Sequence, residues 1–180
     1  MPLVNDYPEI LQLSDGDFLL AWNTASNTTV KIKASTLKSY IGSSTPQTQP
    51  QVATNIASLA TPTASSFYSD SYSPAKAIDG NAATDWASLG QSNPWIQLDF
   101  SISKIVSKVR LSDRPNTAEA ANAGTLTFSD GSSINVVGID DTGIFKVIEF
   151  PPKTITWVRF TVTGGTGANV GLSEFEVWGY

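Results

Sequence analysis

The chain has no cysteine and no histidine, and only 15% of its 180 residues are charged. Without cysteine there is no disulfide framework, iron–sulfur cluster, thiolate zinc site or cysteine nucleophile. Without histidine the Ser-His-Asp triad and the usual imidazole base are gone. Eleven basic residues stand against sixteen acidic ones, for a net charge of -5. With no basic cluster, nothing neutralises a phosphate backbone, so nucleic acid is excluded as a partner. The opening MPLVNDYPEI lacks the basic and apolar regions of a signal peptide, and no apolar run approaches the ~20 residues of a membrane span. With Met1 as the native start, the expectation is a soluble protein, without membrane insertion, that does not use the signal-peptide route. Carboxylate chemistry, hard oxygen-ligated cations such as calcium, and binding without chemistry survive these exclusions.

What is present is apolar material for a core, 41% of the chain with 5 Trp, and a polar surface built from 22 Ser and 19 Thr. Composition changes between Gly42 and Asn55, where GSSTPQTQPQVATN is polar, uncharged and holds Pro46 and Pro50. That stretch reads as a linker, and the expected division is a module over 1–45, a linker over 46–55 and a domain over 56–180. In the front module Phe18 to Trp22 and Thr29 to Lys33 predict a hairpin around the turn-forming NTASN. Ser35 can cap a short helix whose Leu37, Tyr40 and Ile41 share one face. So small a unit buries too little apolar surface to stand alone, and it calls for a partner surface or copies of itself.

From Ile56 onward the period is two. Ile96, Leu98 and Phe100 alternate with Trp95, Gln97 and Asp99. Ile105, Val109 and Leu111 follow, and further runs centre on Leu126, Ile134, Val158 and Phe175. Gly, Asn, Asp and Pro punctuate the runs at short intervals, which predicts an all-β antiparallel sandwich. Trp86, Trp95, Trp157 and Trp178 lie within or beside these strands and read as packing. Asp140 and Asp141 read as a turn rather than a glycosidase pair, because adjacent turn residues rarely face one substrate.

PAKAIDGNAATDW, residues 74–86, gathers oxygen donors around a glycine. Asp79, Asn81 and Thr84 can supply much of a calcium site, since six to eight oxygens including carbonyls are acceptable ligands; the alternative is an Asx-rich turn bonding its own backbone. With NPWIQLDF (93–100) and GLSEFEVWG (171–179), this stretch resembles the discoidin-like superfamily, which includes coagulation-factor type C domains, galactose-binding-like folds and bacterial carbohydrate-binding modules. The resemblance covers residues 56–180 and implies an eight-stranded jelly-roll-like sandwich with a structural calcium. Its ligands would be the Lys76 carbonyl, Asp79, Asn81, Thr84, the Ser173 carbonyl and the Glu174 carboxylate.

LSDRPN, residues 111–116, carries sugar-recognition chemistry at a strand end: Arg114 is a fixed fork of donors, Asp113 accepts and Asn116 does both. The alternative is an Asp113–Arg114 surface pair. An aromatic partner is expected from Phe67, Tyr68 or Tyr72, with Tyr68 taken as the ligand contact and Phe67 equally able to plug the sandwich. Asn169, in GGTGANVG, would complete the rim if the family's topology holds. The sugar-binding His of many family members is absent.

Leu11 to Gly42 resembles a module at the start of phage tail-fibre and other virion proteins. The combined expectation is a non-enzymatic phage structural protein, a tail or capsid fibre. Residues 1–45 would dock it to other virion proteins as a homotrimer, and the discoidin-like domain would bind a host-surface glycan. Its place would be the virion, assembled in the host cytoplasm. Two alternatives remain: a purely architectural virion protein, and an extracellular bacterial carbohydrate-binding module.

Overall fold

Alternation of apolar and polar side chains emerges as antiparallel pairing in both parts of the chain. The computed structural model describes residues 16–36, 51–140 and 142–180. The chain divides into two compact units, Met1–Pro50 and Gln51–Tyr180.

In the first unit β1 (Phe18–Asn23) pairs with β2 (Thr28–Lys33), in register from Phe18 opposite Lys33 to Asn23 opposite Thr28. Asn23 closes the turn by accepting the N–H groups of Ala25 (2.9 Å) and Ser26 (3.1 Å) at Oδ1, and Asn27 takes φ +52°, a conformation Asn tolerates. Helix starts at Ala34, so Ser35 lies inside the first turn instead of capping it. The expected helix face, Leu37, Tyr40 and Ile41, lies outside the described residues.

The second unit contains β3 (Thr54–Asn55), β4 (Ala60–Ala64), β5 (Trp86–Ala87), β6 (Trp95–Asp113), β7 (Ala121–Phe128), β8 (Ser133–Val137), β9 (Lys146–Gly165) and β10 (Gly171–Gly179). This is the expected all-β antiparallel sandwich of about eight strands, with no more helix than short 3-10 turns among the described residues of this unit. Two long strands serve both layers. The first part of β6 pairs with β4 and with the end of β9, which also pairs with β7; the later part of β6 pairs with β10 and the start of β9. Between the layers lie Ile96, Leu98, Phe128, Phe160, Val109, Leu111 and Phe175, all buried.

Three features differ from the sequence reading. The runs at 95–100 and 105–111 belong to one strand, and register shifts beyond Asp99 and Val106 reset its phase. Val106 is therefore buried while Ile105 is exposed, as a bulge reorients the residues on either side of it. Thr54 and Asn55, placed in the linker, are strand residues opposite Gly179 and Trp178. Asn55 Oδ1 also accepts from the N–H groups of Ala57 (3.1 Å) and Val177 (3.3 Å). Of the four tryptophans expected to pack in the sandwich, Trp86 alone is core; Trp95, Trp157 and Trp178 are half-buried, with Arg159 4.1 Å from the Trp95 ring centre and Lys108 Nζ 4.2 Å from that of Trp178. Asp140 sits in a turn and accepts the Thr142 N–H (3.1 Å), while Asp141 lies outside the described residues.

Candidate functional site

At one end of the sandwich, β5, the β6 exit and the β9–β10 loop enclose a cleft of about 220 Å³ lined by Tyr68, Tyr72, Ala87, Arg114, Asn116, Glu119 and Asn169. Arg114 is buried, as is its partner Asp85, whose Oδ2 accepts from Nε at 3.0 Å. Nη1 donates to Glu119 Oε2 (3.1 Å) and to the Asn169 carbonyl. Among the described residues Nη2 has no hydrogen-bond partner, so its two N–H donors remain for a ligand.

Glu119 wires the rim together. Oε2 also accepts from Asn116 Nδ2 (2.9 Å), and Oε1 accepts from Asn169 Nδ2 (2.8 Å) and the Asn169 N–H (3.2 Å). The Asn116 Oδ1 is used by the Ala118 N–H (3.2 Å). Glu119 commits both oxygens and Asn116 its Oδ1 to protein donors, whereas Asn169 Oδ1 has no hydrogen-bond partner among the described residues. The rim therefore offers that acceptor beside the donors of Nη2 and the second N–H of each amide. The tyrosines add hydroxyls and ring surface. They meet edge to face at 5.9 Å and 79°, with the Arg114 guanidinium 5.5 Å from the Tyr72 ring centre.

Of the expected sugar-contacting residues, Tyr68, Arg114, Asn116 and Asn169 meet at this cleft. Asp113 does not: it is buried, its Oδ1 accepts the Ala121 N–H (2.9 Å), and it borders a separate cavity with Ala82 and Ser112. Asp113 is the last residue of β6, with its side chain held inside by the Ala121 N–H, whereas Arg114 is the first residue beyond the strand and turns to Asp85 and the cleft. The supposed Asp113–Arg114 surface pair is likewise replaced by the buried Arg114–Asp85 pair, and Phe67 is exposed rather than a plug. Asp85 and Glu119 went unrecognised in the sequence. Glu119 had a signal, being the only charged residue between Arg114 and Asp130 in a charge-poor chain.

The 79–84 loop folds around Asp79. The Asn81 N–H donates to Asp79 Oδ1 (3.0 Å), and the Thr84 hydroxyl lies 2.9 and 2.8 Å from the two Asp79 oxygens. Lys76 Nζ is 3.7 Å from Asp79 Oδ2. From β10, Glu174 meets this loop. Its carboxyl is pushed up to about 7, first by burial and then by the charges of Asp79 and Glu176, against hydrogen bonds from the Asn81 and Gly80 backbone. Glu174 Oε1 is buried with no hydrogen-bond partner among the described residues. Neighbouring Ser173 turns its hydroxyl to the Asp113 carbonyl at 2.7 Å. An orphaned buried carboxylate oxygen beside a second carboxylate suits a hard cation. Among the described residues no three acidic side chains converge, so such a cation would need main-chain carbonyls as well.

The all-β antiparallel sandwich has the discoidin-like, galactose-binding-like fold found in carbohydrate-binding modules. The chain belongs to the family described as "Domain of unknown function (DUF7402)", whose model matches residues 55–178. Among solved structures it is similar to chitosan-binding module 2, in complex with chitotriose, of a chitosanase/glucanase from Paenibacillus sp. IK-5. Identity is 30% and the TM-score 0.55, covering 66% of this chain and 95% of that one. Module 1 of the same enzyme matches at 28% identity and TM-score 0.58, over 69% and 98% of the two chains. The family 32 carbohydrate-binding module of Clostridium perfringens NanJ, in complex with galactose, shares the fold at 20% identity and TM-score 0.58, over 71% and 98%. No curated protein matches in sequence.

Proposed function

We propose that residues 51–180 form a non-catalytic carbohydrate-binding module whose ligand sits in the Arg114 cleft. The observation that carries this reading is the Glu119-centred network, which holds Arg114, Asn116 and Asn169 around one opening flanked by two tyrosines. Fixed donors suit the lone pairs of adjacent sugar hydroxyls, and a ring beside them suits the C–H face of a pyranose. The cleft's charged groups are one guanidinium and two carboxylates, Asp85 and Glu119, which disfavours anionic glycans and favours neutral or amino sugars. The sugars named for the similar modules, chitotriose and galactose, fall within that range. A glycan array followed by calorimetry tests this. Binding that drops at least tenfold in Tyr68→Ala and Asn116→Ala supports it, and an array blank at every sugar overturns it.

A calcium ion would be held by the Lys76 and Ser173 carbonyls, Asp79, Asn81, Thr84 and Glu174. Its role is structural, neutralising two carboxylates and pinning the loop that ends in Asp85 to β10. The support is the orphaned Glu174 oxygen.

A second reading concerns the front unit, as a virion-docking and trimerising module over residues 1–45 in a phage fibre. It is favoured by Phe18 and Leu20, which share one side of β1 and are exposed. Light scattering of the full chain tests it, with a monomer counting against it.

A further inference from the structure

A second cleft, of about 210 Å³, lies beside the first and is lined among others by Gln91, Ser92, Asn93, Thr163, Gly165 and Ala168. The two clefts share one dividing wall, the segment 167–170: Asn169 faces the first, while Gly167, Ala168 and Val170 face the second. They are joined again along 87–91, where Ala87 lines one cleft and Gln91 the other. Leu89, in that segment beside Gly90, is 58% exposed. A Cβ on Gly90 would sit 4.0 Å from Asn169 Oδ1, so the two segments meet at the crest.

We infer that the binding site runs over this crest, and that the ligand is a linear oligosaccharide of two or more consecutive units rather than a single terminal sugar. The inference rests on the glycan-binding reading above. Size is the first argument. Neither cleft alone reaches the roughly 300 Å³ at which small-molecule sites begin, whereas the two together do. Chemistry is the second. The second cleft has no charged residue in its lining and offers amides, hydroxyls and main chain, groups that match neutral sugar hydroxyls and give a phosphate or carboxylate no counter-charge. The third is the wall itself. Side chains on Gly165 and Gly167 would collide with the Ala120 and Ala118 carbonyls. The glycines thus let the second cleft's backbone press directly against the 118–120 segment, whose Glu119 lines the first cleft, and no side chain at 165 or 167 thickens the partition. Leu89 supplies an apolar contact at the crest, where a ring's C–H face would pass.

The test is calorimetry on the full chain with glucosamine, chitobiose and chitotriose, and with galactose and its β-linked dimer and trimer. The expected result is an affinity at least tenfold higher for dimer or trimer than for monomer in one series. In Thr163→Trp, which fills the second cleft from an exposed position, that gain disappears while monomer affinity is kept. Gln91→Ala, a milder change, reduces the gain part-way. A monomer that binds as tightly as its trimer, or a gain that survives both substitutions, overturns this inference and leaves the single-cleft reading standing. Absence of binding at every length overturns both.

Discussion

Removing Arg114 would strip Asp85 and Glu119 of their shared counter-charge in a buried setting, and breaking such a pair costs ~3–5 kcal/mol. An Arg114→Ala protein therefore reports on folding before it reports on sugar, and the informative substitutions lie around it. Glu119→Gln keeps the shape but weakens the bonds that orient Asn116 and Asn169, each charge-assisted bond being worth ~1.5–3 kcal/mol. Affinity for the bound glycan should fall about tenfold or more although Glu119 is not offered to the ligand; unchanged affinity, measured by calorimetry, would show that the network does not position the site. The cleft was partly legible in the sequence because Arg114 and Asn116 sit in one short loop. Asp85, 29 residues earlier, and Asn169, 50 residues beyond Glu119, are joined to it only by the fold. Glu174 gives a prediction of a different kind. In the metal-free protein its folded-state value, about 7 against the ordinary 4.5 of a glutamate, means that folding takes up a proton between those pH values. Its contribution is then fully present below about pH 4.5 and is lost as pH rises through 7. In EGTA, Tm should decline from about pH 5 to pH 8 more steeply in the wild type than in Glu174→Gln, and parallel profiles would contradict the burial of this carboxyl.

At the scale of elements, the site depends on how β5 is held. Trp86 and Ala87 pair with Leu172 and Gly171 of β10, and this short ladder sets the position of Asp85 just before it and of Ala87 in the cleft. A Cβ on Gly171 would run into the Trp86 carbonyl. Gly171→Ala should therefore push β5 away, lowering stability by ~1–3 kcal/mol as an overpacked site does and weakening glycan binding through Asp85 and Arg114. Denaturant unfolding and calorimetry on the same variant check both effects; a fully stable variant with intact binding would contradict the linkage. The alternating runs were readable as strands because one face of each is buried, so Leu126, Val158 and Phe175 carry their own signal. What alternation does not carry is register across a bulge. The phase change that buries Val106 and exposes Ile105 depends on pairing with β9 and β10, partners more than forty residues away in the chain.

For the whole molecule, the boundary between the units is itself open to experiment. Composition placed the start of the β-domain at Ile56, because Thr54 and Asn55 carry no apolar signal. Their role comes from pairing with the last strand, which closes the sandwich edge. A fragment covering 51–180 keeps that edge and should fold with a single cooperative transition. One covering 56–180 loses β3 and leaves the Ala57 and Val177 N–H groups without Asn55, a loss of ~1–3 kcal/mol on the usual scale for unmet buried donors. Its Tm should be lower by several degrees at this size, and identical melts would return Thr54 and Asn55 to the linker. The longer fragment also isolates calcium. A ligand that binds only the folded form at a hundred times its Kd stabilises by ~2.7 kcal/mol, so calcium should raise the Tm of 51–180 and EGTA should lower it again. Asp79→Ala should abolish the response. A melt indifferent to both additions would leave the 79–84 loop as an Asx turn closed by its own hydrogen bonds, and would make Asp79 and Thr84 sufficient on their own to carry Asp85 to Arg114.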